Sequence, residues 1–224
     1  MGILYKAVGF DMRVFLPKQK ASLLLFIFGL GLFIFTVFLT QQEVIGFESR
    51  FFLFAREMWE KGVGVFPTTY FEPYPDYPAT STLLIYACSK LFAELNKFTA
   101  VLPSAIASAF TLMLTYLLGA IHSKRIGWMA VGFLLLTNAY VSAARTISLD
   151  QFVTLVTTFA FYVAYTRDKK QLWMVLALLL TSGFLVRGPI GLIIPTGVLA
   201  SVFLIRREFK NLLQLGFIAT SLLI

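Results

Sequence analysis

Charged residues fall in tight groups along this chain and leave long apolar stretches between them. Uncharged runs cover 21–42, 98–123, 126–144, 151–166, 171–186 and 188–205, and a seventh begins at 211 and continues to the last residue. A helix needs about 20 apolar residues to cross a bilayer, within a range of roughly 17–25. Four of the runs reach that length. The runs 151–166 and 171–186 have 16 residues each and must borrow flanking positions and snorkelling Lys or Arg stems to span. The pattern predicts an all-α, polytopic membrane helix bundle, a single membrane domain over 1–224 with six spans and an entering seventh. The first run has 22 residues and no small-x-small cleavage site after it, so it reads as a retained anchor and not a signal peptide.

The longest segment outside these runs, 43–97, is much longer than a connector requires, and long loops of this kind usually carry function. Within it, residues 48–61 repeat apolar positions Phe51, Phe54, Ala55 and Met58 at helical spacing, with Arg50, Arg56, Glu57 and Glu60 on the other faces. This pattern predicts an amphipathic helix lying in the membrane interface, with Glu57, Glu60 and Lys61 on its solvated face. Gly62 and Gly64 end it. Pro67, Pro73, Pro75 and Pro78 then impose an extended path, and 80–92 predicts a second interfacial helix, too short to span.

Composition narrows the classes further. The chain is 58% hydrophobic and only 13% charged, against about 45–50% and about 25% in soluble domains. That excludes a soluble globular domain and a disordered chain, and the single Cys88 excludes a disulfide scaffold or cysteine metal cluster. If every run spans once, twelve of the nineteen basic residues share one side with only Asp11, Asp168 and Glu208, for +9, and the other side nets −1. The positive-inside rule makes the first side cytoplasmic, with the N-terminus. Orientation therefore explains the net charge of +8, and no nucleic-acid partner is implied.

Eight of the eleven acidic residues lie on the opposite, outer side, so any chemistry is expected there. Carboxylates at Glu48, Asp76 and Asp150 can accept a proton from a hydroxyl nucleophile, and Asp76 with Asp150 can hold a divalent metal. Arginines at 50, 145 and 187 can hold a phosphate headgroup. Asp150 also suits the N-cap of the fourth helix, and Arg187 precedes a Gly-Pro turn. A transporter reading would require charge at the bilayer midplane, and the spans carry none.

Taken together, Glu48-Ser-Arg50, Ala55-Arg56-Glu57-Met58, Gly62, Pro67 and Tyr74-Pro75-Asp76-Tyr77-Pro78 resemble the first periplasmic loop of GT-C membrane glycosyltransferases. The bacterial aminoarabinose transferases of lipid A and the protein O-mannosyltransferases are the nearest likeness. Arg145-Thr146 through Asp150 resembles their second outer loop, and Arg187-Gly188-Pro189-Ile190-Gly191 their (Lys/Arg)-Gly-Pro-x-Gly turn. The resemblance covers about residues 20–205. It implies an inverting hexosyl or pentosyl transferase of the cell inner membrane, acting in lipid A modification or protein glycosylation. The donor would be a sugar on a polyprenyl phosphate and the acceptor a lipid or a protein, with a divalent metal as a candidate cofactor. It implies catalytic roles for Glu48, Asp150 and Asp76, and substrate binding by Arg50, Tyr77, Arg145 and Arg187. Phe47 stands where the family has the aspartate of an Asp-Glu pair. Tyr77 stands where it often has a lysine, so Arg145 or Arg187 would supply the missing cation. The family commonly has eleven or more spans, and the end at Ile224 inside an apolar run reads as the N-terminal part of such an enzyme. The alternative is a truncated, non-catalytic remnant that binds lipid carrier or a partner.

Overall fold

The computed structural model describes residues 18–64, 66–70, 72–74, 76–166 and 169–222. The expectations that rest on Lys6, Asp11, Arg13, Pro75, Arg167, Asp168 and Ile224 lie outside them. Ten α-helices form among the described residues: α1 Lys18–Thr36, α2 Glu48–Lys61, α3 Ala79–Leu91, α4 Lys97–Ala120, α5 Lys124–Leu136, α6 Asn138–Ala144, α7 Asp150–Thr166, α8 Lys169–Arg187, α9 Pro189–Ile205 and α10 Phe209–Ser221. The proline-rich stretch makes one small hairpin in which β1 (Thr68–Thr69) pairs antiparallel with β2 (Glu72–Pro73), Thr68 opposite Pro73 and Thr69 opposite Glu72.

The chain is a membrane helix bundle, and α1, α4 and α5 are shorter than their apolar runs while α7 and α8 slightly exceed theirs. Ala21–Gln41 and Lys97–Ala120 are long and apolar enough to cross a membrane, and the pair α5–α6 makes a third if a bent pair is one span. By length and composition among the described residues, that is two or three of the expected six spans and entering seventh, and Leu172–Arg187 and Pro189–Ile205 are further, shorter apolar helices. The runs expected as later spans form α7, α8, α9 and α10, of 17, 19, 17 and 13 residues. The run 126–144, expected as one span, bends by 73° between α5 and α6. The break falls at Thr137, whose backbone is extended and whose hydroxyl donates to the Phe133 carbonyl at 2.9 Å. Asn138 follows it, and Thr and Asn both compete for backbone groups and favour helix ends. The bend carries Tyr140 inward, where its ring meets Phe35 edge-on at 5.8 Å and its hydroxyl donates to the Ser108 carbonyl at 2.7 Å.

Two apolar cores result. One gathers Ile27 and Phe35 of α1, Phe51 and Phe54 of α2 and Leu112 of α4. The other is mainly aliphatic, with Leu176, Leu180, Leu192 and Leu199 from α8 and α9 beside Phe203. The apolar face expected on α2 is the buried one, Phe51, Phe54, Ala55 and Met58. Glu57, expected on the solvated face, is also buried at 4% exposure. Its Oε1 accepts the Tyr70 N–H at 2.7 Å, which ties the hairpin tip to α2. The amphipathic pattern misses this because the partner is a backbone amide thirteen residues away. The apolar positions of 24–38 are divided: Phe26 and Phe33 are exposed, while Ile27 and Phe35 are buried.

Candidate functional site

One end of the bundle brings together segments far apart in sequence. α7 starts there and α8 returns there, and the short link from α8 to α9 depends on glycine. Gly188 takes φ +65, a left-handed conformation that costs other residues, and Pro189 starts α9 with its ring where no N–H is needed. A methyl on Gly183 or Gly191 would collide with the carbonyl of the other, so both glycines let α8 and α9 approach closely. This turn delivers Arg187, the last residue of α8, to Asp150, the first residue of α7.

Arg187 Nε donates to Asp150 Oδ1 at 3.1 Å. The arginine side chain is 16% exposed and the carboxylate 70% exposed, so Asp150 faces the opening. Asp150 lies inside α7, one position later than a capping residue, where its charge still favours the positive helix end. The Arg187 guanidinium also lies over the Tyr77 ring, 5.5 Å from its centroid. Tyr77 stacks on Tyr74 at 6.1 Å and 11° between planes, and Arg50 closes the row, 5.9 Å from Tyr74 and 5.4 Å from Phe47. Asp76 is exposed and accepts a hydrogen bond from Tyr74, and this carboxylate, above all other causes, holds the phenol above its ordinary range.

A cavity of about 390 Å³ opens beside this pair, lined by Phe47, Glu48, Lys97, Ile147, Asp150 and Arg187 among others. Glu48 is on its inner wall. Its Oε1 accepts from Lys97 Nζ at 2.8 Å, with both side chains below a tenth exposed, and its Oε2 accepts the Ile147 N–H at 3.1 Å. Lys97 Nζ also reaches the Glu43 carbonyl at 3.0 Å. The loop before α7 is clamped a second time by α4, because Ser104 Oγ donates to the Ser148 carbonyl at 3.1 Å and accepts the Ser148 N–H at 3.0 Å.

Of the residues expected from sequence, Glu48, Asp150 and Arg187 share the cavity, and Tyr77 adjoins it through Arg187. Arg145 turns away. Its guanidinium donates to the carbonyls of Ile34 at 2.6 Å and Val37 at 2.8 Å, satisfying acceptors at the end of α1 that the helix leaves unpaired. Arg187 is therefore the arginine placed against Tyr77. Among the described residues no group of three or more His, Cys, Asp or Glu side chains suited to a cation forms. With Asp150 paired to a guanidinium and Asp76 to a phenol, the donor set does not make a protein cage for a divalent metal.

Lys97, Ser104 and Glu57 escape a sequence reading. Lys97 did leave a signal, since a cation in the first turn of a helix opposes the dipole and calls for a carboxylate partner. Asn96 caps the same helix through a reciprocal pair of bonds with Thr99, which holds Lys97 at the cavity wall.

Residues 76–224 match the family model of dolichyl-phosphate-mannose-protein mannosyltransferases. The fold is similar to that of ArnT from Cupriavidus metallidurans, in its structure bound to undecaprenyl phosphate (TM-score 0.75, 17% identity, covering 90% of this chain and 39% of that one). The apo structure of the same protein matches equally (TM-score 0.75, 17% identity, 92% and 40%). This chain thus spans about two-fifths of the length of the solved structures it matches. No curated protein matches it.

Proposed function

Because the chain belongs to the dolichyl-phosphate-mannose-protein mannosyltransferase family, we propose that it is a membrane glycosyltransferase. It moves a sugar from a polyprenyl-phosphate carrier to a lipid or protein acceptor at the outer face of the cell inner membrane. The carrier class is supported by the undecaprenyl phosphate named with the ArnT structure. The observation that carries the proposal is the Asp150–Arg187 pair on the wall of one cavity, an exposed carboxylate beside a cation that lies over an aromatic ring.

The chemistry asks for both. An acceptor hydroxyl must lose its proton as its oxygen attacks the anomeric carbon, and a carboxylate within hydrogen-bond reach takes it. Asp150 has this place, because Arg187 Nε occupies Oδ1 and the side chain remains largely exposed. As the new C–O bond forms, the bond from the anomeric carbon to the carrier phosphate breaks, and its electron pair leaves on the phosphate. Positive charge fixed beforehand at that oxygen lowers the barrier. Arg187 supplies it, with its guanidinium over the Tyr77 ring. Single displacement inverts the anomeric centre.

The test is transfer in isolated membranes from a radiolabelled polyprenyl-phosphate sugar to endogenous acceptors, wild type against Asp150→Asn and Arg187→Gln. Transfer by wild type that either substitution abolishes supports the proposal. Absence of transfer by the wild-type chain, or full activity in Asp150→Asn, overturns it.

A further inference from the structure

Glu48 is drawn by sequence toward the catalytic role, yet its surroundings describe another task. Both carboxylate oxygens are used inside the protein, one by the Lys97 ammonium and the other by the Ile147 amide, and the side chain is 7% exposed. Neither oxygen is turned to the opening as Asp150 is. The same pair joins four segments: the link after α1 through the Glu43 carbonyl, α2 through Glu48, α4 through Lys97, and the loop before α7 through Ile147.

Resting on the transferase reading of the cavity, we infer that Glu48 and Lys97 are positioning residues. They form a buried ion pair that fixes the 145–150 loop, and so Asp150, against α2 and α4, and Glu48 takes no proton from the acceptor. Ile147 lies three residues before Asp150, and Ile147 and Leu149 are buried at 5% and 4% exposure. A shift at Ile147 therefore passes along a packed segment to the carboxylate. A displacement of about 1 Å can lower a rate by about a hundredfold without touching substrate.

The experiment compares Glu48→Gln, Lys97→Met, Lys97→Arg and the double variant Glu48→Met with Lys97→Met. Two readouts are used: transfer kinetics in membranes, and backbone amide exchange over 145–150 in detergent. Glu48→Gln and Lys97→Met are expected to lower kcat by about tenfold or more. The KM for donor stays within about twofold, and in Glu48→Gln the acid limb of the pH–rate profile persists, because the proposed base is Asp150. Lys97→Arg retains most of the rate, and the double variant recovers much of what Lys97→Met loses, since removing both charges leaves neither stranded. Exchange over 145–150 accelerates in Glu48→Gln and Lys97→Met.

The inference is overturned if Glu48→Gln abolishes transfer while exchange over 145–150 is unchanged, the outcome expected were Glu48 the base itself. If the wild type transfers nothing, the transferase reading fails separately, and the exchange measurement still decides whether the pair holds the loop. A Lys97→Met chain that does not fold leaves Glu48→Gln and Lys97→Arg to decide by the same two readouts.

Discussion

Glu48 with Lys97 and Asp150 with Arg187 are carboxylate–cation pairs of similar length, 2.8 and 3.1 Å, on the wall of the same cavity. Their surroundings separate them. The first pair is buried on both sides, and each ion is further bonded to backbone, Glu48 to the Ile147 amide and Lys97 to the Glu43 carbonyl. The second joins a mostly buried arginine to a carboxylate that is 70% exposed. Charges removed from water are costly unless matched, so losing either partner of a buried pair strands the other. An exposed pair is screened and contributes about 0–1 kcal/mol. Similar chemistry therefore gives the bundle a staple in one place and an available carboxylate in the other, and burial decides which.

The comparison can be broken by experiment. The largest effect is expected from Lys97→Met, which leaves the Glu48 charge buried without its cation. Destabilisation of about 3–5 kcal/mol is expected, measured by thermal unfolding of the detergent-solubilised protein, and an unchanged melting curve would place the first pair in the same class as the second. Asp150→Asn should do the reverse. Stability changes by less than about 1 kcal/mol, while transfer falls by about a hundredfold or more for loss of a general base. A third substitution asks whether half-buried guanidinium contacts outside the cavity resemble the staple. Arg145→Gln removes two charge-assisted bonds to α1 carbonyls and should cost about 1.5–3 kcal/mol. Arg56→Ala breaks the exposed i,i+4 pair with Glu60 and should change stability by about 0.5 kcal/mol or less, with no change in transfer.

A pH effect is the smallest and the most local. The Asp76 carboxylate holds the Tyr74 phenol above its ordinary value, so the folded state retains this proton more tightly than the unfolded chain. The resulting stabilisation is complete below the ordinary phenol pKa of about 10. It is lost as pH rises through the higher folded value. Tyr74→Phe should remove that part of the alkaline loss of stability and leave behaviour near neutrality unchanged, as followed by unfolding curves between neutral and alkaline pH.

Much of the fold is legible along the chain. The apolar spacing of Phe51, Phe54, Ala55 and Met58 gives α2 and its buried face, because a 3.6-residue repeat is a local property. The second interfacial helix differs from its expected bounds by one residue, and the prolines give the extended hairpin. The bend at Thr137 is less legible, since a hydrophobic run records the absence of charge and not the straightness of the helix within it. Glu57 is the clearest failure: it is expected on the solvated face and is buried, because the Tyr70 amide that arrives there is contributed by a distant turn.

The candidate site divides in the same way. Residue types near the bundle end follow from the sequence, since charge placement forces carboxylates and arginines out of the apolar runs. Which carboxylate faces the opening, which arginine reaches it and which lysine closes the staple depend on contacts between residues separated by tens of positions: Arg187 with Asp150 at 37 and Ile147 with Glu48 at 99. Arg145 and Arg187 look equivalent as letters. One is bonded to the end of α1 and the other lies over Tyr77 beside the cavity. Hydrophobicity and helical period are carried by neighbouring residues and determine the membrane bundle. Desolvation and pairing of charge are carried by distant residues, and only the packed tertiary structure decides them.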